Sequence, residues 1–555
     1  MVHMDVKIKA ELDPHASAED IFQTLLKSRG YLTPNAQAEF LHPVAPTLPL
    51  LLKESGIKKS TLANIQKLLD SHLTAGHDIL VFGDYDADGV TATAIMWQTI
   101  IAYAKLNHSK ARILPFIPLR HRHGYGLSEL AIEEINSGTA FKHTQFPDFS
   151  PQLIITVDTG IVAVDVIKKI RAQKYDVIIT DHHLPDVALP PANHILHTTM
   201  TSGAGVAWIL SLYLLGESAK ALLDLATIGV VADMMPLRGI NRSLVAHGLV
   251  NLTRSRRPGL VAIKALMGIG ERDLTTHDIS FGIAPRINAS GRIYNPLDAL
   301  RLLCTSDRAL ATNLATTIES HNKDRQDYTD SAFQTISSHP VKHHILVVIG
   351  DYHEGVIGLV AGKLVEKFHR PAVVMSQAPD VVKGSARSLP GINITELLRS
   401  LKTPFLGLGG HEAAAGFSLP ASQVKNFTAE LKQLADQTIS PSQLIKSESA
   451  DLSLALSQTT LKLAELLGEL EPFGISNPKP RFLLHDLRVL EDRPLGGGKH
   501  HKLTVEQGST TREVLMFNTQ HSHPVSQIKQ LICTLDINLW RDKKSLQLIA
   551  SYVET

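Results

Sequence analysis

The chain has few cysteines and almost no net charge. Its 555 residues include only two cysteines, Cys304 and Cys533, which lie far apart in the sequence. This spacing argues against a disulfide framework and a thiolate zinc site, and we expect both cysteines to be core thiols. The net charge is +1, so no global field attracts a polyanion. Any binding of nucleic acid must come from local clusters of Lys and Arg.

The sequence also lacks the segments that would place it in or across a membrane. We find no window with the uncharged apolar length that a membrane helix needs. The first residues, MVHMDVKIKAELDPH, lack the apolar core of a secretory signal. We therefore expect a cytoplasmic protein. Apolar residues make up 44% and charged residues 20%, which is ordinary for globular proteins. The length of the chain indicates about three or four domains.

Apolar strand-like runs alternate with amphipathic helical segments over residues 61–245, which predicts an α/β domain with a largely parallel sheet. Its candidate strands are DILVFG (78–83), ARILPFI (111–117), QLIITV (152–157) and DVIIT (176–180). Residues 1–60 contain several prolines around short apolar runs, and we expect an irregular N-terminal arm there.

Three further segments follow. Residues 246–340 predict a helical connector, because residues 295–338 have helical spacing and no proline after Pro296. Residues 341–435 predict a second α/β domain, and the short strands and polar turns of residues 436–555 predict a small β-barrel. The expected fold class is therefore α/β: two α/β lobes joined by long helices, with a C-terminal β-barrel.

The segment ILVFGDYDADGVTAT is the most informative feature. An apolar strand ends directly in Asp84, Asp86 and Asp88, whose carboxylates repel one another unless a cation lies among them. D-Y-D-A-D-G also matches the opening of an EF-hand calcium loop. That loop needs a Glu at its twelfth position, here Ile95, and an entering helix rather than an apolar β run. We therefore disfavour the calcium loop.

Three later apolar runs also end in acidic or histidine side chains. QLIITV is followed by Asp158, DVIIT by Asp181, His182 and His183, and LATIGVVA by Asp233. Because the carboxyl ends of parallel strands open into one crevice, we expect all four segments to converge there. Each site alone has an ordinary alternative: an Asp after a strand is often a helix N-cap, and a His pair is often solvated or hydrogen-bonded. Together, the carboxylates and imidazole suit two Mn²⁺ or Mg²⁺ ions.

DYDADG, VDTG, DHH and VADMMP, in this order, resemble the four motifs of the DHH phosphoesterases. This resemblance implies two divalent ions, bridged by one carboxylate, that activate water and clamp a scissile phosphate. Carried over by position, it implies that Asp84 and Asp86 hold one ion with Asp158. It also implies that Asp88, His182 and Asp233 hold the other, with Asp158 as the bridge. Asp181 and His183 then resemble groups that orient the ligands or contact phosphate.

Within this superfamily the chain resembles the RecJ exonucleases. Pyrophosphatases and small-oligonucleotide hydrolases of the superfamily place a metal-binding His where this chain has Phe82, whereas RecJ-like members use the aspartate that matches Asp84. RHRHGYGLS (120–128), APRINASGR (284–292) and GLGGHEAAAGF (407–417) also resemble RecJ segments. EPFGISNPKPRF (471–482) resembles the entry to the family's oligonucleotide-binding barrel, although Ser476 stands where that family usually has Gly.

These segments, together with HEGVIGLVAGKL (353–364) and KGSARS (383–388) near the glycine-rich loop, contain the residues that we expect to bind substrate. Small residues let backbone N–H groups approach a phosphate, and basic residues supply charge. For each arginine, a surface salt bridge is the alternative. The expected contacts are Arg120, Tyr125, Arg286, Asn288, Ser290, Arg292, Lys363, Ser385, Arg387, Gly409, Gly410 and His411. In the barrel we expect Lys499, Lys502, Arg541 and Trp540 to contact DNA, with core packing as the alternative for Trp540.

The resemblance implies an exonuclease that degrades single-stranded DNA in the 5′ to 3′ direction during repair and recombination. It suggests single-strand-binding protein and a repair helicase as partners. Two alternatives remain: a DHH phosphodiesterase acting on short RNA or cyclic dinucleotides, and a non-catalytic nucleic-acid-binding protein. The barrel and the missing early His count against the first, and the complete acidic set counts against the second.

Overall fold

The computed structural model describes residues 6–13, 15–124, 126–338, 340–517, 526–540 and 543–555. Two predicted substrate contacts, Tyr125 and Arg541, lie outside this range. For a third, Trp540, the backbone is described but the side chain is not. The chain divides into two compact units. The larger unit comprises Ser55–Asp233 and Asn251–Lys446. The barrel unit comprises Met1–Glu54, Met234–Val250 and Ser447–Thr555.

Helices and strands alternate over residues 78–197, helices follow one another from residue 203 to residue 337, and strands follow one another from residue 482 onward. The helices are α1 (Ala18–Ser28), α2 (Pro34–Leu41), α3 (Leu48–Ser55), α4 (Lys59–Ala75), α5 (Ala87–Leu106), α6 (Arg120–His123), α7 (Glu129–Asn136), α8 (Val164–Ala172), α9 (Gly203–Leu215), α10 (Leu223–Ala232), α11 (Gly239–Arg254), α12 (Pro258–Leu266), α13 (Thr276–Asp278), α14 (Ala284–Ile293), α15 (Leu297–Cys304), α16 (Arg308–Ser337), α17 (Ile357–Phe368), α18 (Ile394–Arg399), α19 (Val424–Thr438) and α20 (Leu461–Gly468). The strands are β1 (Val6–Ile8), β2 (Asp78–Phe82), β3 (Ile113–Phe116), β4 (Pro151–Val157), β5 (Asp176–Asp181), β6 (His194–His197), β7 (Leu346–Gly350), β8 (Ala372–Ser376), β9 (Val381–Arg387), β10 (Gly407–His411), β11 (Ala414–Pro420), β12 (Glu448–Ala450), β13 (Leu452–Ser453), β14 (Phe482–Leu495), β15 (His500–Gln507), β16 (Thr510–Phe517), β17 (Gln527–Trp540) and β18 (Lys543–Glu554).

The first sheet of the larger unit is parallel, with strand order β3-β2-β4-β5-β6. Its central strands are runs of Ile, Leu and Val, and all five residues of β2 are buried. Continuous apolar runs of this kind are typical of parallel sheets that helices cover on both faces. The four strands predicted from the sequence are confirmed, whereas the edge strand β6 was not foreseen.

The segment Gly203–Ala232 is long and apolar enough to cross a membrane by length and composition, so our expectation of no such window was wrong. In the structure this segment comprises α9, a 3₁₀ stretch (Gly216–Leu222) and α10. Both helices pack against α5, and most of their residues are buried. They are apolar on all sides because the fold surrounds them.

The second sheet of the larger unit has strand order β10-β11-β9-β8-β7 and is mixed, since only β7 and β8 pair in parallel. Phe417 and Phe427 lie in its core. The long helices predicted before this sheet are confirmed as α15 and α16.

The barrel unit closes through β14, which pairs with both β15 and β17. The predicted barrel is confirmed, although β17 was missed. The expected irregular arm was wrong, because residues 1–60 contain β1 and α1–α3 with further helix at their end. Pro34 occupies the first turn of α2, where its missing N–H costs nothing. Ile21 and Leu25 of α1 lie in the barrel's own core.

Arg242 of α11 joins the three chain segments of the barrel unit. Its side chain lies over the Phe40 ring at 3.7 Å and donates hydrogen bonds to the carbonyls of Phe40, Leu470 and Glu471 at 2.6, 3.2 and 2.8 Å. Burial lowers the pKa of Arg242 to about 10. The guanidinium therefore serves here to donate several hydrogen bonds to backbone carbonyl groups.

Candidate metal centre

Three of the predicted acidic sites meet where parallel strands end. Asp84 follows β2, Asp158 follows β4, and Asp181 is the last residue of β5. Asp86 is the N-cap of α5, and its carboxylate accepts a hydrogen bond from the Gly89 N–H at 3.0 Å. The predicted convergence of these segments is confirmed.

Asp233 reaches the cluster differently from the prediction. The apolar run LATIGVVA is the helix α10 rather than a strand, and Asp233 is its C-cap. The carboxylate of Asp233 lies 3.6 Å from Nε2 of His182. The fourth segment therefore converges on the others, but from a buried helix.

The side chains form three groups whose ligand atoms lie within 4.8 Å of one another. One group is Asp84, Asp86 and Asp158, and another is Asp88, His182 and Asp233. The third contains Asp158, His182 and His183, so Asp158 belongs to two groups. Carboxylate oxygens with one or two imidazole nitrogens suit hard or borderline divalent ions such as Mg²⁺ and Mn²⁺.

The electrostatics of the cluster favour a bound cation. The carboxylate of Asp158 is buried, and its Oδ1 atom has no hydrogen-bond partner among the described residues. Burial and the charge of Asp88 raise the pKa of Asp158 well above its usual range. Burial and Asp86 raise the pKa of Asp84 to about 8, and burial and Asp88 raise that of Asp233 to about 8. A divalent ion would remove the repulsion that causes part of these shifts.

Asp88 is held by the N-terminus of α9. Its carboxylate accepts hydrogen bonds from Ser202 Oγ at 2.8 Å and from the N–H groups of Gly203 and Ala204 at 2.7 and 3.0 Å. The helix N-terminus stabilises the charged form of a carboxylate. We missed these residues in the sequence, although a Ser-Gly pair before an apolar helix is a typical N-terminal signal.

Two glycines make room for the acidic side chains. A Cβ atom on Gly203 would lie 2.4 Å from Oδ1 of Asp158, and one on Gly229 would lie 2.3 Å from Oδ1 of Asp88. Neither space admits a larger residue without movement of a carboxylate. Gly229 interrupts the apolar run of α10, and such an isolated helical glycine is the signal that sequence reasoning overlooked.

The two histidines differ in their surroundings. Burial lowers the pKa of His182, whose Nε2 lies 3.1 Å from Oδ1 of Asp158. Burial also opposes the charged form of His183, but its hydrogen bond with Asp181, at 2.8 Å between Nδ1 and Oδ1, raises the pKa of His183 to about 9. His182 is therefore the neutral imidazole that a metal needs, and His183 is a cation beside it.

The predicted segment APRINASGR packs against the acidic loop. Oδ1 of Asn288 accepts a hydrogen bond from the N–H of Ala87 at 2.8 Å, which fixes the start of α5. A Cβ atom on Gly291 would lie 2.1 Å from the Tyr85 carbonyl oxygen. Ser290 is buried, and its Oγ lies 3.3 Å from Nδ1 of His321. Asn288 and Ser290 thus have partners within the protein.

Three predicted arginines come together beside the acidic loop. Burial and the charges of Arg120 and Arg387 lower the pKa of Arg292 to about 10. The guanidinium of Arg120 lies over the Tyr85 ring at 5.6 Å, and Arg387 donates a hydrogen bond to Ser385 Oγ at 3.0 Å. Across the described ranges, none of the three arginines forms an ion pair. Arg120, Arg292 and Arg387 therefore form an arginine cluster whose charge an anion would compensate.

The remaining predicted residues lie in other surroundings. Arg286 pairs with Glu319 at 2.5 Å, as the salt-bridge alternative predicted, and Lys363 pairs with Asp330 at 2.5 Å. Lys502 pairs with Glu513 at 2.7 Å. Four residues are mostly exposed: Lys499 after the turn Gly496–Gly498, and Gly409, Gly410 and His411 on β10. A role for these residues in binding DNA stays a prediction.

Three family models match successive parts of the chain. They are the N-terminal domain of the DHH family over residues 78–230, the DHHA1 domain over 342–437 and the RecJ OB domain over 450–552. The parallel sheet and its acidic cluster therefore lie in a DHH domain. The mixed sheet that follows lies in a DHHA1 domain.

The same combination occurs in known exonucleases. The single-stranded-DNA-specific exonuclease RecJ of Bacillus subtilis is 35% identical over 550 residues, which cover 95% of this chain and 67% of that protein. RecJ of Escherichia coli is 30% identical over 594 residues, which cover 98% and 96% of the two chains. Crystal structures of RecJ from Thermus thermophilus in complex with Mn²⁺ and with Mg²⁺ match with TM-scores of 0.79 and 0.73. The Mn²⁺ complex is 28% identical and matches over 100% of this chain and 80% of that one. The chain belongs to the RecJ family.

Proposed function

We propose that this chain is a metal-dependent exonuclease that hydrolyses the phosphodiester bonds of single-stranded DNA in DNA repair and recombination. The observation that supports this best is the complete acidic cluster, in which Asp158 belongs to two groups with ligand atoms within 4.8 Å of one another. Family membership supports single-stranded DNA as the substrate and the 5′ to 3′ direction. The alternative of a non-catalytic binding protein loses support because each predicted ligand is present in the cluster.

Two divalent ions, Mn²⁺ or Mg²⁺, are the cofactors that fit this donor set. We assign one ion to Asp84 and Asp86 and the other to Asp88, His182 and Asp233, with Asp158 shared between them. When bound, such ions lower the pKa of water and stabilise charge on the scissile phosphate. The helix α9 supports the assignment of Asp88, because its N-terminal donors hold that carboxylate in place through three hydrogen bonds.

The arginine cluster supplies the binding site for DNA phosphate. Guanidinium groups bind phosphate oxygens through charge-assisted hydrogen bonds. Arg120 and Arg292 lie beside Tyr85 of the acidic loop, and Arg387 lies with Ser385 on β9. A strand bound at these arginines would therefore lie next to the carboxylates. His183 adds a further positive charge, oriented by Asp181.

The barrel increases the affinity for longer strands, because barrels of this type bind single strands through basic and stacking surfaces. We retain Lys499, Lys502 and Trp540 as candidate contacts there. We also retain the proposed divisions of the chain at residues 61–245, 246–340, 341–435 and 436–555. The family resemblance suggests single-strand-binding protein and a repair helicase as partners, and we retain the cytoplasm as the expected location.

The test is a nuclease assay of the full chain with Mn²⁺. The substrates are single strands labelled at the 5′ or 3′ end, matched duplexes, short RNA and cyclic dinucleotides. We expect degradation of single strands, with a 5′ label released first as a mononucleotide. Asp158→Asn serves as the inactive control for contaminating nucleases. Release of the 3′ label first would overturn the direction, and faster hydrolysis of cyclic dinucleotides or short RNA would favour the other DHH activity.

A further inference from the structure

The larger unit contains a second cavity that the metal centre does not use. Its volume is about 620 Å³. It is bounded by the middle of α5, the residues before and at the start of α10, the end of α11, the start of α12 and the end of α15. The cavity shares no residue with the metal centre or with the arginine cluster. Cys304 lines it and is partly buried, whereas Cys533 is fully buried, as expected of a core thiol.

The lining of this cavity is strongly basic. Four cationic side chains line it, Lys220, Arg254, Arg256 and Arg257, against the single carboxylate of Asp224. No other acidic residue is in the lining. The excess of positive charge therefore favours an anionic ligand.

The one carboxylate is already compensated. Asp224 is buried and pairs with Arg257 at 3.3 Å between Nε and Oδ2, and Ser255 Oγ donates a hydrogen bond to it at 2.8 Å. Arg257 also donates to Gln98 Oε1 at 3.1 Å and to the Leu303 carbonyl at 2.8 Å. These contacts hold Arg257 and Asp224 together as an ion pair in the wall of the cavity.

Two arginines remain uncompensated. Arg254 and Arg256 are exposed, and within the described part of the chain neither forms an ion pair or a side-chain hydrogen bond. Lys220 pairs with Glu217, three residues earlier on the same exposed turn. Two guanidinium groups at the mouth of a cavity, with neutral walls at Ala221 and Pro258, match a ligand with a phosphate group and a less polar body. The volume lies in the range of about 300–1,000 Å³ typical of small-molecule sites.

We propose that this cavity binds the phosphate group of a nucleotide through Arg254 and Arg256. The site lies away from the catalytic residues, because α10 carries Asp224 near its start and Asp233 at its end. The two residues are nine positions apart (233 − 224), which is about 14 Å along a helix. The inference therefore stands independently of the proposed nuclease activity.

Binding to the full chain is measured by titration calorimetry in EDTA, where the metal centre does not turn over substrate. The ligands are dTMP, thymidine as the matched ligand without phosphate, and a single-stranded oligo-dT. The test variant is R254Q/R256Q. The control is R399Q/K425Q, which removes two exposed charges on α18 and α19 that form no ion pair among the described residues. Both double variants are made in an Arg387→Ala background, and Arg387→Ala alone is the parent for comparison, because the arginine cluster proposed above would also bind dTMP.

We expect dTMP to bind this parent and R399Q/K425Q, and to bind R254Q/R256Q at least tenfold more weakly. Thymidine should not bind measurably. If R254Q/R256Q weakens only the oligo-dT complex, the phosphate in the cavity belongs to a DNA strand rather than a free nucleotide. Equal affinity of parent and R254Q/R256Q for both phosphate ligands would overturn the proposal. An equal loss in R399Q/K425Q would overturn it too, since the effect would then be one of general charge. Thermal melts should show both double variants folded, because the substituted side chains are exposed.

Discussion

Nε2 of His182 lies 3.1 Å from Oδ1 of Asp158, a buried carboxylate oxygen with no hydrogen-bond partner among the described residues. Oδ2 atoms of Asp88 and Asp233 lie 3.8 and 3.6 Å from the same nitrogen. Burial lowers the pKa of His182, so its ring cannot neutralise three carboxylates at ordinary pH. A divalent ion at this point would satisfy both the imidazole and the carboxylates.

Asp158→Asn should separate activity from stability. The amide keeps the size of the side chain but removes a shared ligand charge, so nuclease activity should fall by several orders of magnitude with Mn²⁺ or Mg²⁺. Without metal, the loss of one crowded carboxylate relieves repulsion, and the variant should melt no lower than the parent. Added Mn²⁺ should then stabilise the parent much more than the variant.

Thermal melts with and without Mn²⁺, beside a nuclease assay, test this prediction. Asp186→Asn is the matched control, because Asp186 is exposed in the loop after His183. A variant that lost metal-free stability but kept activity and its response to Mn²⁺ would show that Asp158 is only structural.

The metal-free protein should lose stability as the pH rises. Burial and neighbouring carboxylates raise the pKa values of Asp84 and Asp233 from 3.8 to about 8. Between these values the folded state holds protons that the unfolded state has released, so the free energy of unfolding falls with pH. His183 acts in the same direction, since the stabilisation from its raised pKa of about 9 is complete below 6.5 and lost above 9.

Melting temperatures in EDTA between about pH 5 and pH 9 measure this effect. Asp84→Asn and Asp233→Asn should each flatten the profile. With Mn²⁺ the melting temperature should instead rise with pH, because the affinity of the site for the ion rises as the ligands lose their protons. A metal-free melting temperature that rises over this range would contradict the raised pKa values.

Arg387→Ala should weaken binding of single-stranded DNA and reduce its salt dependence. Each lost phosphate contact lowers the slope of log K against log salt by about 0.7 for single strands. Arg399→Ala is the control, since Arg399 is exposed on α18 of the same sheet domain. Binding titrations over a range of salt concentrations give the slope. If Arg387→Ala lowers the stability of the protein and leaves the slope unchanged, Arg387 is a structural residue and not a phosphate contact.

Gly229→Ala should damage the metal centre although alanine favours helices. The new methyl group would lie 2.3 Å from Oδ1 of Asp88, so either the carboxylate or α10 must move. Gly362→Ala in α17 is the matched control, because its Cβ meets no atom within 4 Å, and it should gain up to about 1 kcal/mol. Mn²⁺ titration of both variants should show weaker binding for Gly229→Ala alone. Equal Mn²⁺ affinity in both would show that the site tolerates the shift.

Deletion of residues 447–555 should weaken binding of long strands more than cleavage of short oligonucleotides. The deletion also exposes Ile21 and Leu25, which lie in the barrel's core. We therefore expect a protein that lacks both 1–54 and 447–555 to be less prone to aggregation than one that lacks only the barrel. Filter binding with strands of two lengths tests the first point, and equal affinity of the full and truncated proteins for long strands would exclude it.

The sequence predicted the acidic residues that follow strands, but not the residues that hold them in place. Asp84, Asp158 and Asp181 were predictable because parallel strands bring their carboxyl ends to one sheet edge. Asp233 was placed on the wrong kind of element, because a helix buried on all sides is as apolar as a buried strand. Gly229 and Ser202 act through contacts with distant residues, which periodicity does not report. The arginine cluster depends on tertiary packing for the same reason.

The barrel unit is assembled from three separated stretches of chain, and this has a consequence for its synthesis. The apolar face of α1 is complete at Ser28, but its partners at residues 447–555 begin to emerge from the ribosome only 419 residues later (447 − 28). At about 5–20 residues per second this delay is roughly 20–80 s. During that time Ile21, Leu25 and their neighbours have no partner from the barrel. The nascent chain therefore exposes an apolar helix face that a chaperone would bind.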